Sequence, residues 1–183
     1  MRIKVGVMGS ASESGSPEDR AALTEKAESL AVAIAKRDVV LFTGATTGIV
    51  YLVGQTAHTA GTFHIGISPA INAAEHVETY KLPLDACDAI VYTGFGLKGR
   101  NVVLVRSADA VLFIAGAMGS LNEFTIAHDE GKIIGCLTGS GGVADEVDYL
   151  VEKFGKRGKA VVFKSDDPEK LLEMCIGALD VQQ

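Results

Sequence analysis

Short apolar runs alternate with helical patterns along the chain, and this alternation limits the possible folds more than any other feature. The runs at 39–43 and 110–114 are apolar at nearly every position, without the polar alternation of a half-exposed strand. Continuously apolar strands are typical of a sheet that is covered on both faces. A βαβα order requires parallel strands joined by right-handed crossovers. We therefore predict one α/β domain over residues 1–183, a Rossmann-like doubly wound parallel sheet of about seven strands with helices on both faces.

The boundaries of the elements follow from local signals. The predicted strands span residues 3–8, 39–43, 63–67, 89–92, 110–114, 133–137 and 160–163. The predicted helices run from Pro17 through the stripe that ends at Ile34, and over residues 48–60, 100–107, 120–130, 143–154 and 168–179. Ser16 is the expected N-cap of the first helix, and Gly61 and Gly131 are expected to terminate two others. Residues 70–86 carry few signals and are predicted to form a loop.

Charge and composition favour a small-molecule partner. The chain has 17 basic and 23 acidic side chains, a net charge of -6, and no basic cluster of the kind that binds nucleic acid. No apolar run approaches the roughly 20 residues of a membrane-spanning helix, and the first eight residues do not resemble a signal peptide. Three cysteines lie far apart in apolar surroundings, as buried reduced thiols do: Cys87, Cys136 and Cys175. We expect a soluble cytoplasmic protein with no nucleic-acid or membrane partner.

Glycine-rich loops follow four of the predicted strands. These loops span residues 9–12, 44–48, 94–99 and 116–120. In a doubly wound sheet, ligands bind at the carboxyl ends of the strands, near the point where the strand order reverses. Glycine lets backbone N–H groups approach a ligand, and the following helix presents its N-terminus to an anion. The four loops together predict a ligand that carries a phosphate.

Other common motifs are weak or absent. Residues 94–99 match GxGxxG, but they follow the fourth strand, and Ile114 stands where a ribose-binding acid would end the next strand. There is no P-loop, and residues 139–141 lack the spacing of a GxSxG nucleophile elbow. The four histidines, His58, His64, His76 and His128, show no metal-binding spacing. We predict no metal site and no cofactor.

The block from Thr93 to Phe124 is the most informative segment. It places Arg100 at the start of one predicted helix, where the helix dipole disfavours a cation, and Glu123 in the first turn of the next. Simpler interpretations are a surface ion pair for Arg100 and a dipole or capping carboxylate for Glu123. Arg106 is expected to form another ion pair, with Asp109 as its partner.

The same block resembles the LOG-like superfamily, also called lysine decarboxylase-like, whose members are nucleoside 5′-monophosphate phosphoribohydrolases. Residues 115–123 occupy the PGGxGTxxE motif of these proteins, and Arg100-Asn101 occupies the Arg-Lys pair on the preceding helix. Residues 44–49 resemble a degraded GGGxxGLM loop, and Gly9-Ser10 matches the opening GS loop. A subgroup with similar TG, RN and RSADA segments resembles the molybdenum cofactor carrier proteins of algae.

Several positions depart from the superfamily pattern. Ala45 and Thr46 replace glycines of the first loop, and Ala115, Ala117 and Ser120 replace the Pro, the second Gly and the Thr of the main motif. Ser120 keeps a hydroxyl group for a phosphate. Ala117 adds a methyl group where the backbone is expected to approach the ligand closely. Alanine also does not adopt positive φ cheaply, so strain is expected at this position.

The resemblance implies that Arg100 and Glu123 are catalytic. It implies a wider set of phosphate- or nucleotide-binding residues: Gly9, Ser10, Gly44, Thr46, Thr47, Gly94, Asn101, Gly116, Met118, Gly119 and Ser120. Two functions remain open. The first is cofactor-free cleavage of an N-glycosidic bond to free base and ribose 5-phosphate. The second is non-catalytic binding of a nucleotide or of a pterin phosphate such as the molybdenum cofactor. The resemblance also implies a homodimer or larger homo-oligomer. Residues 49–53, apolar on every face of their helix, fit an oligomer or a helix buried within the monomer.

Overall fold

Seven parallel strands form one sheet in the order β4-β3-β2-β1-β5-β6-β7. The computed structural model describes residues 1–10, 16–155 and 158–182. The strands are β1 (Ile3–Gly9), β2 (Val39–Thr43), β3 (Phe63–Ser68), β4 (Ala89–Tyr92), β5 (Ala110–Ile114), β6 (Ile133–Leu137) and β7 (Val161–Ser165). The helices of the described residues are α1 (Pro17–Ala35), α2 (Gly48–Thr59), α3 (Ala73–Glu78), α4 (Gly96–Ser107), α5 (Met118–Asp129), α6 (Gly142–Asp145), α7 (Val147–Phe154) and α8 (Pro168–Gln182).

Helices cover both faces of the sheet, as the sequence predicts. In the interior strand β5, Leu112 and Ile114 pack into a core with α1, α2 and α8. The neighbouring residues Val111 and Phe113 pack into a second core with α4, α5 and α7. Successive side chains of a strand point to opposite faces, so a strand between two helical layers must be apolar at every position. The Rossmann-like doubly wound fold is confirmed.

The first two helices follow their sequence signals. Ser16 caps α1, because its hydroxyl accepts from the amide of Asp19 at 3.2 Å while the Asp19 carboxylate accepts from the Ser16 amide at 3.0 Å. In α2, Val50 and Val53 are buried, and Ile49 and Leu52 pack against the same core. Packing within the chain therefore accounts for the apolar faces of α2.

Two segments differ from the sequence prediction. The predicted loop at 70–86 contains the short helix α3, and Asn72 is its N-cap. The side chain of Asn72 accepts from the amide of Glu75 at 2.9 Å. The Asn-x-x-Glu spacing is a capping signal that could have revealed this helix. The single helix predicted over residues 143–154 is divided into α6 and α7.

The helices that carry the motif residues begin earlier than predicted. Helix α4 begins at Gly96 rather than at Arg100, and α5 begins at Met118 rather than at Ser120. Arg100 therefore lies in the second turn of α4, and the predicted conflict between its charge and a helix start was wrong. Glu123 likewise lies in the second turn of α5 and not in the first turn, where it was predicted. Arg106 pairs with Glu130 at 2.6 Å, not with Asp109, which instead binds Lys4 at 2.9 Å.

The strand order reverses between β1 and β5. From β1 the chain builds outward through β2, β3 and β4, and β5 then returns to the other side of β1. The helices α4 and α5 flank this point on one face, and the loops after β1, β2 and β5 open at the same edge. Ala11 and Ser12 of the predicted first loop lie outside the described residues.

Two of the three cysteines are buried, as their apolar surroundings predict. Cys136 and Cys175 are fully buried and unpaired, and burial raises the pKa of each thiol to about 12. Cys87 is a partly buried free thiol. None of the described helices has both the length and the hydrophobicity needed to cross a membrane.

Candidate functional site

A cleft of about 240 Å³ lies at the point where the strand order reverses. The ends of β1 and β2 form one wall, and the first two turns of α4 and α5 form the other. The predicted site residues that line it are Gly9, Ser10, Gly44, Thr46, Arg100, Asn101, Gly119, Ser120 and Glu123. Thr47, Gly94, Gly116 and Met118 are not among its lining residues. The tertiary structure thus brings most of the predicted set together.

Arg100 lies deep in this cleft against the backbone of Gly44. The residue is only 7% exposed, and a Cβ atom at position 44 would lie 1.8 Å from Nη1 of the guanidinium. No described residue accepts a hydrogen bond from Arg100, and its Nε is enclosed without a partner. A buried guanidinium of this kind is suited to bind an oxyanion, because it presents several N–H donors in a fixed plane.

Glu123 faces Arg100 from α5 without a hydrogen bond between them. Oε1 lies 3.7 Å from Nη1, and both side chains are buried. Burial raises the pKa of Glu123 to about 7 although Arg100 and Lys98 act to lower it. Burial also lowers the pKa of Arg100, against the attraction of Glu123. The loss of hydration therefore outweighs the attraction of the pair, and Glu123 can gain or lose a proton near neutral pH.

Asn101 connects the helices beside this pair. It is 3% exposed, and its side-chain amide meets that of Asn122 at 2.8 Å. With its side-chain nitrogen turned away from Asn122, Asn101 donates to the carbonyl of Leu97 and to Oε1 of Glu123, each at 3.0 Å. Asn101 therefore contacts the candidate catalytic carboxylate directly.

The N-terminus of α5 opens into the cleft without a side-chain cap. Its N-cap, Ala117, offers no side-chain cap, and the first-turn amides of Met118, Gly119 and Ser120 have no acceptor within the helix. The N-cap backbone is extended, with φ at -117°. The expected strain at Ala117 was therefore wrong, because its methyl group needs no positive φ.

Lys98 is a cleft residue that sequence reasoning missed. It lies in the first turn of α4, and its Nζ is 4.0 Å from the position that a Cβ would take at Gly119. Its ammonium group therefore stands beside the open end of α5, where the helix dipole also favours an anion. A helix start at Gly96 would have placed Lys98 at the cleft, but the glycines of that segment are weak helix signals.

Two hydroxyl groups predicted to bind phosphate also hold the loops together. Ser10 Oγ accepts from the amide of Gly116 at 3.0 Å, and Ser120 Oγ donates to the carbonyl of Gly9 at 3.0 Å. These bonds join the end of β1 to the loop after β5 and to the first turn of α5. The amide of Gly116 is thus engaged within the protein, unlike the first-turn amides of α5.

Nearly the whole chain, including the residues of the cleft, matches a known protein family. The sequence pattern of the SLOG cluster4 family matches residues 2–172, which is nearly the whole chain.

The chain belongs to the SLOG cluster4 family.

One relative and one solved structure match large parts of this SLOG cluster4 chain. An uncharacterised protein of Archaeoglobus fulgidus is 30% identical over 104 residues, which are 57% of this chain and 63% of that protein. The crystal structure of TM1055 is 27% identical with a TM-score of 0.81, covering 96% of this chain and 99% of the other. The match to LOG-like proteins is therefore confirmed in family and fold.

Two solved structures connect the SLOG cluster4 chain to proteins named for the molybdenum cofactor. The molybdenum cofactor binding protein of Rippkaea orientalis is 26% identical with a TM-score of 0.75, covering 98% of each chain. The molybdenum cofactor carrier protein of Chlamydomonas reinhardtii is 19% identical with a TM-score of 0.70, covering 99% of each chain. The second likeness concerns the fold alone.

This SLOG cluster4 chain holds two alanines in the left-handed region beside the cleft. Ala45 has φ 47° and Ala115 has φ 53°. The amide of Ala115 donates to Ser140 Oγ at 2.7 Å, and the carbonyl of Ala115 accepts from the amide of Ala144 at 3.1 Å. The loop after β6 thus supports the strained turn after β5. Proline, which occupies this motif position in LOG-like proteins, cannot adopt this φ.

A buried histidine supports the other strained alanine. Thr43 Oγ1 accepts from the amide of Ala45 at 3.3 Å and lies 2.8 Å from Nε2 of His64. Nδ1 of His64 contacts the carbonyl of Ala86. Burial lowers the pKa of His64 to about 4, so the neutral ring donates from Nδ1 and accepts at Nε2. His64 is therefore structural, and within the described residues no three His, Cys, Asp or Glu side chains are grouped to hold a metal ion.

Proposed function

We propose that the cleft binds a small phosphorylated ligand of the nucleoside monophosphate or pterin phosphate class. The observation that carries this proposal is the meeting of two α4 cations, Lys98 and Arg100, with the uncapped N-terminus of α5. A phosphate would bind the amides of Gly119 and Ser120 and the ammonium of Lys98. Such sites are common, because the helix dipole and the free amides both favour negative charge.

The size and position of the cleft support a ligand of this class. Its volume of about 240 Å³ falls below the roughly 300–1,000 Å³ of pockets that enclose drug-sized molecules. A phosphate and an attached sugar or ring fit this space better than a dinucleotide. The structural likeness to the cofactor-binding protein of Rippkaea orientalis supports the pterin phosphate alternative.

Cleavage of the N-glycosidic bond is the second candidate function, and the buried Arg100–Glu123 pair favours it. The bond between the base nitrogen and C1′ breaks with its electron pair leaving on the base. The oxygen of a water molecule then bonds to C1′, and a proton of that water is transferred to the nitrogen of the departing base. The products are free base and ribose 5-phosphate. An ionised Glu123 would stabilise the positive charge that develops on the ribose. This reaction would therefore accelerate as the pH rises through 7.

Titration with paired ligands tests the binding proposal. AMP is expected to bind measurably by calorimetry, and adenosine, which lacks the phosphate, at least tenfold more weakly. Lys98→Met is expected to remove most of this difference, because it deletes the charge beside α5 and keeps the chain length. Equal affinities for AMP and adenosine, or no binding of AMP or a pterin phosphate, would contradict a phosphate site.

Release of free base from AMP separates the two functions. Hydrolysis predicts base release that falls at least a hundredfold in Glu123→Gln, because the variant cannot carry the negative charge. Saturable binding without release would contradict the hydrolase and leave the binding function. Release that survives both Glu123→Gln and Arg100→Lys would show that a different site performs the chemistry.

A homodimer or larger homo-oligomer remains a prediction from the family resemblance. Large apolar side chains are exposed near the start of α4 and α5, namely Phe95, Leu97 and Met118. Contiguous exposed apolar surface is typical of interaction sites. Light scattering on the purified chain would test this prediction, and a monomer at high concentration would contradict it.

A further inference from the structure

We infer that Asn101 is a positioning residue for Glu123. Asn101 donates to Oε1 of the Glu123 carboxyl group and leaves Oε2 as the oxygen that meets the ligand. This inference deepens the proposed function and rests on it for the presence of a ligand. The contacts that support it come from both helices of the cleft wall. Leu97 and Asn101 belong to α4, whereas Asn122 and Glu123 belong to α5.

The carbonyl of Leu97 decides which way the amide of Asn101 points. A carbonyl oxygen only accepts hydrogen bonds, so the side-chain nitrogen rather than the oxygen must face it at 3.0 Å. The same nitrogen then lies 3.0 Å from Oε1 of Glu123 and donates to it. The oxygen of Asn101 then lies 2.8 Å from the terminal side-chain atom of Asn122 that faces it. Because an amide oxygen only accepts, that atom of Asn122 must be the nitrogen for a hydrogen bond to form. The chain of hydrogen bonds therefore runs in one direction, from Asn122 through Asn101 to Glu123.

This direction places the proton of Glu123. Oε1 accepts from Asn101 and also faces Nη1 of Arg100 at 3.7 Å. An oxygen in this environment is the unprotonated one, so the neutral acid carries its proton on Oε2. No described residue forms a hydrogen bond with Oε2. The charged groups that face Glu123 are Arg100 and Lys98, both from α4, and they favour its ionised form.

The ligand group beside Glu123 follows from the state of Oε2. In the neutral form Oε2–H is a donor, which suits a phosphate or carbonyl oxygen. In the ionised form Oε2 is an acceptor, which suits a ligand hydroxyl such as those of a ribose. Asn101 thereby sets which oxygen of Glu123 binds the ligand and helps to set the pH at which that oxygen changes from donor to acceptor.

Carbon-13 NMR titration of the Glu123 carboxyl group in the free protein tests this role. Asn101→Leu removes the donor at similar size, and the titration midpoint of Glu123 is expected to rise by about one pH unit, because a lost hydrogen bond weakens the ionised form most. Ser107→Ala is the control, since this hydroxyl also lies on α4 but bonds only to the carbonyl of Val103 among the described residues. An unchanged midpoint in Asn101→Leu, or an equal rise in Ser107→Ala, would overturn the inference.

A second measurement needs no variant, and so holds even if Asn101→Leu does not fold. In the wild-type protein, the side-chain NH₂ resonances of Asn101 are expected to shift with the same midpoint as the Glu123 carboxyl group. Resonances that do not respond to this titration would overturn the proposed contact. Both titrations use the free protein, whereas failure of AMP to bind contradicts the proposed function, so the two failures are distinguishable.

Discussion

The absence of a side chain at Gly44 leaves the space that the guanidinium of Arg100 occupies. The guanidinium of Arg100 occupies the space where a Cβ would stand, 1.8 Å from Nη1. The superfamily pattern includes a glycine here, but the sequence alone does not say what the glycine makes room for. In the structure it makes room for the cation that faces Glu123.

Gly44→Ala is therefore expected to displace Arg100. The added methyl group should lower the free energy of unfolding by about 1–3 kcal/mol, as in other overpacked sites, and weaken AMP binding at least tenfold. Urea unfolding and calorimetric titration would measure both effects. Gly177→Ala is the control, because no atom lies within 4 Å of its added Cβ and the residue is in α8. Unchanged AMP affinity in Gly44→Ala would show that Arg100 does not bind the ligand.

Glu123 is expected to make stability depend on pH in a definite direction. Its pKa rises from an ordinary value of 4.5 to about 7 in the folded protein. Between these values the folded state holds a proton that the unfolded state has lost. The stability that this proton contributes is present below pH 4.5 and is lost as the pH rises to 7, by roughly 3 kcal/mol in total.

Urea unfolding of wild type and Glu123→Gln across pH 4.5–8 would measure this loss. The wild-type free energy of unfolding should fall relative to the variant up to pH 7 and then stay level. His64, whose pKa falls from 6.5 to about 4, acts in the opposite direction, because its contribution is lost as the pH falls from 6.5 to 4. Both proteins retain His64, so the difference cancels it. A constant difference would mean that Glu123 titrates normally.

The starting residue of helix α4 determines which of its side chains reach the cleft. The sequence predicted α4 from Arg100, because Gly96 and Gly99 are weak helix formers, whereas tertiary packing starts the helix at Gly96. This earlier start brings Lys98 to the cleft and moves Arg100 into the second turn. Local propensity could not predict this, since the helix is stabilised by contacts with α5 and the sheet.

Replacing Ala115, in the turn after β5, by the proline of the LOG-like motif is expected to destabilise the protein. Ala115→Pro would force φ from 53° to about -65° and remove the amide bond to Ser140, at a cost of at least about 3 kcal/mol. Ala115→Gly is the control and should stay within about 1 kcal/mol of wild type, because glycine adopts this φ without strain. Thermal unfolding followed by circular dichroism compares the two variants. Equal stability of the proline and glycine variants would contradict the strained turn.

At the scale of the molecule, ligand binding is expected to stabilise the whole domain. The cleft contains the ends of β1 and β2 and the first two turns of α4 and α5, so a ligand bound there would connect elements on both sides of the reversal in strand order. At one hundred times its Kd, a ligand that binds only the folded state adds about 2.7 kcal/mol. For a domain of this size, the Tm should rise by roughly 5–10 °C.

Thermal shift measurements with AMP, a pterin phosphate and adenosine would check this. Adenosine is expected to give a smaller shift, and Lys98→Met is expected to reduce the shift with AMP. Unchanged Tm with every phosphorylated compound at millimolar concentration would contradict a phosphate site at this cleft.

The sequence by itself determined the fold class, most strand boundaries and the set of loops at the ligand-binding edge. This was possible because apolar strands covered on both faces and the βαβα order leave few alternatives. Arg100 and Glu123 could also be selected from the motif, although they are 23 positions apart in the chain.

Only the tertiary structure decided how those residues act on one another. The burial that raises the pKa of Glu123, the space at Gly44 and the direction of the Asn101 amide depend on atoms from different elements. The strain that was expected at Ala117 is found at Ala115, because the loop after β6 holds that turn. Sequence patterns record local preference and periodicity, whereas hydration, packing and hydrogen-bond direction are set when distant segments meet.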